Sequence, residues 1–365
     1  MTDSEKIILA LLLEQVSGLG IFRIRNLLRV YDSISQIQAA SVKNLSSVDG
    51  IGEQTAAEIK KTKFSDEIAA KIIKQAEQHQ ADIFGFWMDG YPEKLRNLDG
   101  MPVLLYYKGN TKALNSNGIA IVGTRNPSQY GKRVTENLTT ELVQNNLTIF
   151  SGFARGIDTL AHSTALKENG TTIAVLGSGF NNLYPSENKS LLPKIFENGG
   201  ILTEFPPDTK PDAKNFPQRN RLISGLSLGS VIIESAETGG ALITAAYALE
   251  QNREVFAIPG EVFSEKSKGT NLLIMNGHAK LILSSKDILC ELKLDQSIKT
   301  IKEKPLPELS MFEQVIFDKL DSKPKHIDEL THELNQTVSE LLIQLLNLEF
   351  KGIVKQLPGK YFVRN

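Results

Sequence analysis

Cysteine is almost absent from this chain of 365 residues, and patterns that bind metal ions are missing. The single cysteine, Cys290, has no partner for a disulfide within the chain. A disulfide-stapled secreted domain is therefore excluded, and a cytoplasmic location is expected. The five histidines and the cysteine form neither an H-x-x-x-H nor a C-x-x-C pattern. We expect no metal ion and no other cofactor.

Long apolar runs are missing as well. The apolar run near the N-terminus is short and follows acidic residues, so it predicts an amphipathic first helix. No other stretch is long and apolar enough to cross a bilayer, which takes about 20 residues. We therefore expect no membrane association.

The chain also lacks an excess of basic charge. It has 41 Lys and Arg against 42 Asp and Glu, which gives a net charge of -1. A globally basic nucleic-acid binder is excluded, so any site for a nucleic acid must gather its cations locally. No Walker A pattern is present, which argues against ATP hydrolysis.

The first part of the chain, residues 1–82, has a helical pattern that two short glycine turns interrupt. These turns are Gly18-Leu19-Gly20 and Gly50-Ile51-Gly52. A tight turn followed by a helix start is what a SAM-like or helix-hairpin-helix domain needs. The turns could offer N–H groups to a phosphate or could only join packed helices, and the sequence leaves both interpretations open.

The second part, residues 83–294, alternates short apolar strands with helical patterns. This alternation predicts a Rossmann-like parallel sheet that helices cover on both faces. The predicted strands are Ile119–Val122, Leu147–Phe150, Thr172–Leu176, Ile201–Glu204, Ser230–Glu234, Glu254–Ile258 and Lys280–Leu283. The fold class is therefore α/β.

The C-terminal part, residues 309–365, follows a charged, proline-containing stretch over 295–308 that predicts a linker. Its pattern is three helices and then a hairpin around Pro358-Gly359, which is the order of a winged helix. The helix expected at Val338–Phe350 carries Glu340 and Glu349 and no Lys or Arg. We hypothesise that this domain contacts protein or restricts the main site, since duplex DNA would require cations there.

Glycine turns and cations recur in the loops next to the predicted strands. Ligands of parallel α/β sheets bind beyond the carboxyl ends of the strands, so these loops are where a site is expected. Glycines expose N–H groups that bind anions, and Arg and Lys side chains add charge for phosphates. The loop cations are Arg125, Lys189, Arg219 and Arg221. Together these features indicate a phosphate-bearing ligand, either a nucleotide or a nucleic-acid strand.

Eight motifs follow one another between Gly123 and Asn271: GTR, SGFARGID, YPSEN, EFPP, NFPQRNRLISGLS, TGGALITA, FAIPG and KGTN. In this order and spacing they resemble the DNA-processing protein A (DprA/Smf) family. The helical N-terminal part and the winged helix resemble the family's flanking domains. The resemblance implies a homodimer that binds and protects incoming single-stranded DNA. It also implies that the protein helps to load the RecA recombinase during natural transformation.

The resemblance also implies which residues contact DNA. Arg125 would hold a phosphate, Gly152 and Ala154 would let the strand approach the backbone, and Lys189 would add a second cation. The full set is Gly123, Thr124, Arg125, Gly152, Ala154, Asn188, Lys189, Arg219, Asn220, Arg221, Lys268 and Asn271. Thr124 and Phe153 stand where the family has a frequent serine and leucine, which leaves the phosphate contacts intact.

Three residues in these loops admit a second interpretation. Arg221 could form a salt bridge to an acid at a strand end, such as Glu234. Phe216 and Tyr184 could stack on bases or could simply pack beside their prolines. The sequence leaves these alternatives open.

The competing function is an enzyme that binds or hydrolyses nucleotides, of the Rossmann-like phosphoribohydrolase type. Such an enzyme needs an acid or base aimed at the sugar. Asp158 and His162 lie four residues apart on one helix and could form that pair, whereas Glu204 and Glu234 stand at strand ends. We favour structural roles for Asp158 and His162, and we expect no catalytic residue and no enzyme.

Overall fold

The computed structural model describes residues 1–294, 309–321 and 323–364. The chain divides into two compact units, Met1–Ser297 and Ile298–Asn365. The first unit holds both the helical N-terminal part and the α/β core. The predicted linker, 295–308, lies outside the described residues.

A nine-stranded sheet forms the centre of the first unit. Its strands are β1 (Asp82–Gly85), β2 (Leu104–Gly109), β3 (Gly118–Val122), β4 (Thr148–Ser151), β5 (Thr172–Val175), β6 (Gly200–Thr203), β7 (Gly229–Ile232), β8 (Glu254–Ala257) and β9 (Lys280–Leu281). Their order is β1-β2-β6-β5-β4-β3-β7-β8-β9. The seven strands from β3 to β9 pair in parallel and match the seven predicted strands, which confirms the Rossmann-like core.

The two remaining strands form an antiparallel edge that the alternation does not predict. β1 pairs with β2, and β2 pairs with β6, both antiparallel. A helix of only four residues, Glu93–Arg96, lies between β1 and β2 in the chain. The segment therefore lacks the long helical pattern that marks a parallel crossover.

Fourteen helices of the first unit are described. They are α1 (Asp3–Leu13), α2 (Ile21–Val30), α3 (Ile34–Ala39), α4 (Val42–Ser46), α5 (Glu53–Lys61), α6 (Asp66–Gln78), α7 (Glu93–Arg96), α8 (Gln129–Gln144), α9 (Ile157–Lys167), α10 (Leu192–Asn198), α11 (Asn215–Leu226), α12 (Gly240–Glu250), α13 (Lys268–Met275) and α14 (Ser285–Glu291). The helix α11 begins in the segment Asn-Phe-Pro-Gln-Arg, which has no helical periodicity of apolar residues, so the sequence pattern does not indicate its start. No helix in the described ranges is both long and apolar enough to span a bilayer.

The sheet is buried on both faces, as its apolar strands require. Side chains of β3 alternate between two clusters, with Ala120 and Val122 in one and Ile119 and Ile121 in the other. The order of the strands reverses between β3 and β7, so the crevice for a ligand opens beyond the carboxyl ends of these two strands.

The N-terminal helices contain both glycine turns as helix-hairpin-helix turns. Gly18 and Gly50 have φ angles of 72° and 79°, which only glycine adopts without strain. The helices α2 and α5 begin immediately after the second glycine of each turn. The Arg23 side chain donates to the carbonyl oxygens of Gly50 at 2.9 Å and Gly18 at 3.2 Å, which ties the two turns together.

The second unit is a winged helix. Its elements are α15 (Met311–Lys319), β10 (Lys325–His326), α16 (Ile327–Leu334), α17 (Val338–Phe350), β11 (Val354–Leu357) and β12 (Tyr361–Arg364). Leu341, Leu345 and Leu348 of α17 are buried in its core. The opposite face of α17 exposes Ile343 and Phe350, which are apolar. The face that would enter a DNA groove therefore offers no cation.

Candidate functional site

A cavity of about 690 Å³ lies at the point where the strand order reverses, and we call it the main pocket. Its floor is the turn after β3 and the turn after β7, and the first turns of α11 and α12 form its walls. Its lining includes Gly123, Thr124, Arg125, Ala154, Asp158, Tyr184, Phe216, Arg219, Asn220, Ser235, Gly239 and Gly240. N–H groups in the first turn of a helix have no partner within the helix, so α12 offers donors to an anion here.

Glycines around the main pocket serve two different purposes. A Cβ at Gly156, where φ is +80°, would lie 2.4 Å from the carbonyl oxygen of Thr124, so the turn itself requires glycine. A Cβ at Gly240 would meet no atom within 4 Å. Packing therefore does not require glycine at position 240. Because Gly240 has no side chain, the pocket has more open space at this point.

Arg125 is the exposed cation of the main pocket. In the described parts of the chain its guanidinium has no carboxylate partner, and it lies 5.9 Å from the centre of the Phe216 ring. The Phe216 and Tyr184 rings are 5.9 Å apart, and Arg155 lies 5.7 Å from the Tyr184 ring. Tyr184 is 41% exposed, so one of its faces is open to a base.

Arg219, which is expected to bind phosphate, is instead 3% exposed and holds the strand ends together. It donates to the carbonyl oxygens of Gly152, at 2.5 Å, and of Val175. Burial lowers the pKa of Arg219 to about 10, against the raising effect of the Asp158 carboxylate. Gly152 lies between the two, and a Cβ there would be 2.7 Å from each.

Asp158 also serves the fold at this position. Its Oδ2 accepts hydrogen bonds from the backbone N–H groups of Gly152 at 3.0 Å and Ala154 at 3.4 Å. Burial raises the pKa of Asp158 to about 6, although Arg219 and both N–H groups lower it. Asp158 and Arg219 therefore shape the turn after β4.

Arg221 and the strand-end acids are also committed to structural contacts. Arg221 is buried and forms an ion pair with Glu204 at 2.5 Å. The partner is thus a strand-end acid, but it is Glu204 and not Glu234. Glu234 accepts from the backbone N–H of Ser128 at 2.9 Å.

Two asparagines of the predicted set hold loops in place. The Asn188 side chain is buried and donates to the Phe153 carbonyl oxygen at 2.9 Å and to Thr159 Oγ1 at 2.8 Å. The Asn271 side chain accepts from the N–H of Gly260 and donates to its carbonyl oxygen, both at 3.1 Å.

The structure brings half of the predicted residues together. Gly123, Thr124, Arg125, Ala154, Arg219 and Asn220 line the main pocket. Lys189 is exposed but outside its lining, and Lys268 forms an ion pair with Glu265 at 2.5 Å. Gly152, Asn188, Arg221 and Asn271 support the site through packing and hydrogen bonds. Arg125 is therefore the predicted cation that combines exposure with a place in the pocket.

Asp158 and His162 do not form a hydrogen-bonded pair. His162 Nδ1 lies 2.7 Å from Thr172 Oγ1, while Asp158 bonds to backbone. The histidine is fully buried, and burial lowers its pKa to about 3. Among the described residues no cluster of His, Cys, Asp and Glu could hold a metal ion.

A neighbouring cleft of about 560 Å³ contains cations that the sequence reasoning did not select. This second cleft is lined by Arg125, Lys132, Arg155, Thr159, Glu187 and Lys266. Arg155 lies within the SGFARGID motif. Like Arg125, it is a cation in a glycine-containing turn, and this feature could have identified it from the sequence. Lys132 and Lys266 come from α8 and from the loop after β8, and no local pattern connects them.

Three family models match the chain. The model described as DNA recombination-mediator protein A matches residues 82–293, and the DprA winged helix domain matches residues 301–360. The SAM-like helix-hairpin-helix tandem matches residues 10–62.

Curated relatives and solved structures agree with these matches. Protein Smf of Escherichia coli is 38% identical over 278 residues, which cover 74% of both chains. Protein Smf of Synechocystis is 32% identical over 389 residues, with 96% of both chains covered. The X-ray structure of DNA processing protein A from Streptococcus pneumoniae has a TM-score of 0.67 and 34% identity over 80% of this chain and 98% of that one.

A structure of DNA processing protein A from Helicobacter pylori, described for its single-stranded DNA binding mode, has a TM-score of 0.54. It is 31% identical and covers 59% of this chain and 97% of that one. With the core, both flanking domains and the motif order in agreement, this chain belongs to the DNA recombination-mediator protein A (DprA/Smf) family.

Proposed function

We propose that the chain binds single-stranded DNA in the main pocket. The observation that carries the proposal is the exposed Arg125, which pairs with no carboxylate in the described part of the chain, in a glycine-lined pocket at the carboxyl ends of β3 and β7. Its guanidinium binds a phosphate, N–H groups of the first turn of α12 offer further donors, and Tyr184 offers an aromatic face to a base. The related Helicobacter pylori protein, with its single-stranded DNA binding mode, supports this assignment.

Replacing Arg125 with alanine is expected to weaken binding of oligo(dT) about 10- to 100-fold at low salt, because one charge-assisted contact is lost. The effect should be equal for all base sequences, and the salt slope should fall by about 0.7, the value for one phosphate on a single strand. Fluorescence anisotropy over a series of salt concentrations measures both. Lys167→Ala is the control, since Lys167 is exposed at the far end of α9, away from the pocket. Equal binding by Arg125→Ala and the wild type would refute the assignment.

We further propose that the protein binds DNA without catalysis. The support is that Asp158 and His162, the pair an enzyme would use, are buried and bonded to other groups. The same anisotropy measurement with mononucleotides separates the two functions. Preference for a mononucleotide over oligo(dT), or its turnover, would favour the nucleotide-hydrolysing alternative.

The proposed role in the cell is to protect incoming single-stranded DNA in the cytoplasm and to help load the RecA recombinase during natural transformation. Membership of the DNA recombination-mediator family supports this role. RecA assembly on oligo(dT), with wild-type chain or with Arg125→Ala, tests it directly. Loading that is independent of Arg125 would contradict the proposed link between the pocket and RecA.

We also propose a homodimer that forms at the β9 edge of the sheet. Among the described residues β9 pairs with no strand on its outer side, and Leu283, just beyond it, is 80% exposed. Met275 at the end of α13 and Leu281 add exposed apolar surface close to this edge. An uncovered edge strand with apolar neighbours favours pairing with a second copy.

Replacing Leu283 with arginine is expected to convert the dimer to a monomer, because a charge would be buried without a partner. The mass in solution, from light scattering after size exclusion, is the measurement. Leu249→Arg, at another exposed apolar site, on α12, is the control and should leave the mass unchanged. A wild-type chain that is already monomeric at micromolar concentration would remove the basis of the proposal.

A further inference from the structure

The second cleft adjoins the main pocket and shares Arg125 with it. Gly156, in the turn between β4 and α9, packs against the backbone of Thr124 and Arg125 and lines the second cleft. A strand held by Arg125 in the main pocket therefore has the second cleft directly next to it.

The second cleft carries more uncompensated charge than the main pocket. Its lining has four cations and one carboxylate, Glu187, which is paired with Arg155. In the described ranges no carboxylate pairs with Lys132 or Lys266. The main pocket instead has Asp158 opposite Arg219, which leaves Arg125 as its uncompensated cation. Phosphates would therefore be attracted to the second cleft more strongly than to the main pocket.

An exposed aromatic residue precedes Lys266, which lines the second cleft, by three residues. Phe263 is 92% exposed, in the loop between β8 and α13. Backbone hydrogen bonds hold this loop, since the Ser264 N–H donates to the Glu261 carbonyl oxygen at 3.0 Å and the Ser235 N–H donates to the Lys266 carbonyl oxygen at 2.8 Å. Phe263 precedes Lys266 by three residues, so the two backbones are within about 10 Å. A phenylalanine this exposed is costly in water and suits stacking on a base.

We propose that the second cleft and Phe263 bind the continuation of the single-stranded DNA that the main pocket holds. Phosphates of this segment contact Lys132 and Lys266, and one base stacks on Phe263. The inference rests on the proposed function and adds to it a second subsite with its own residues. The main pocket then binds a short oligomer by itself, while the second subsite contributes only when the strand is long enough to reach it.

The test compares two lengths of oligo(dT), about 4 and about 12 nucleotides, with the full chain, in fluorescence anisotropy. The double variant Lys132→Ala/Lys266→Ala should bind the long oligomer about 10-fold more weakly at low salt and lower its salt slope by about 1.4, as expected for two phosphates. Phe263→Ser should weaken the long oligomer about 5- to 150-fold, the range for one lost stack. Binding of the short oligomer should change in neither variant.

The controls match each change. Lys167→Ala removes an exposed lysine from the far end of α9, and Phe312→Ser removes another exposed phenylalanine, from the winged helix. Arg125→Ala should weaken both lengths, so a failure of the main-pocket assignment gives a different pattern from a failure of the second subsite. The inference is overturned if the double variant and Phe263→Ser bind the long oligomer like the wild type. It is also overturned if Phe263→Ser changes the mass of the protein in solution, because Phe263 would then contact a second copy.

Discussion

Replacing Arg219 with leucine is expected to lower the free energy of unfolding by about 2–5 kcal/mol, the cost of leaving buried polar groups without their charged donor. The variant would leave Asp158 without a facing cation, and it would remove the donor to the carbonyl oxygens of Gly152 and Val175. Urea denaturation measures the change. Arg125→Leu, at an exposed site, should stay within about 0.5 kcal/mol of the wild type.

The same pair of variants separates a structural arginine from one that binds DNA. Arg219→Leu should reduce stability first and DNA binding only as a consequence, whereas Arg125→Leu should reduce binding alone. If Arg219→Leu were as stable as the wild type but failed to bind oligo(dT), Arg219 would be a DNA ligand, and its burial in the unbound protein would have to be relieved on binding.

Acidification from about pH 6 to about pH 3 is expected to lower the free energy of unfolding of the wild type by on the order of 4 kcal/mol through His162 alone. The pKa of His162 is lowered from 6.5 to about 3 in the folded protein, chiefly by burial and then by the charge of Arg219. Below pH 6.5 the unfolded chain therefore binds a proton that the folded chain does not. The free energy of unfolding then falls as the pH falls through this window.

The hydrogen bonds of His162 show why its second nitrogen resists protonation. Thr172 Oγ1 donates to the Ile149 carbonyl oxygen at 2.8 Å, so it accepts from His162 Nδ1 at 2.7 Å. Nδ1 thus carries the proton, and Nε2 is buried without a partner among the described residues. A proton on Nε2 would create a buried charge with no acceptor.

The measurement is the free energy of unfolding against pH for the wild type and for His162→Gln. The difference between the two should shrink by several kcal/mol as the pH falls from about 6 to about 3. Asp158 acts in the opposite direction, since its pKa is raised to about 6 and its protonation stabilises the fold between about pH 6 and pH 4. Asp158 is present in both proteins, so the difference isolates His162. Parallel curves would show that His162 titrates normally in the fold.

The sequence alone determined the core of the fold and the edge of the sheet where the main pocket lies. The apolar runs of the seven parallel strands and the helical patterns between them are local signals, because each depends on residues within one element. The winged helix was predicted for the same reason. The helix cap at Thr337 and the turn at Pro358-Gly359 depend only on residues next to them in the sequence. The glycine turns beyond the strands pointed to the edge where the main pocket lies for the same reason.

Only the tertiary structure decided which cations are exposed in the two cavities. Arg125 and Arg219 carry the same side chain. Arg219 is buried and donates to the carbonyl oxygens of Gly152 and Val175, which are distant from it in sequence, whereas Arg125 is exposed. The second cleft shows the converse, because Lys132 and Lys266 come together from segments that no motif joins. Burial and charge pairing depend on neighbours that the fold supplies from far along the chain, and a pattern within one segment does not contain them.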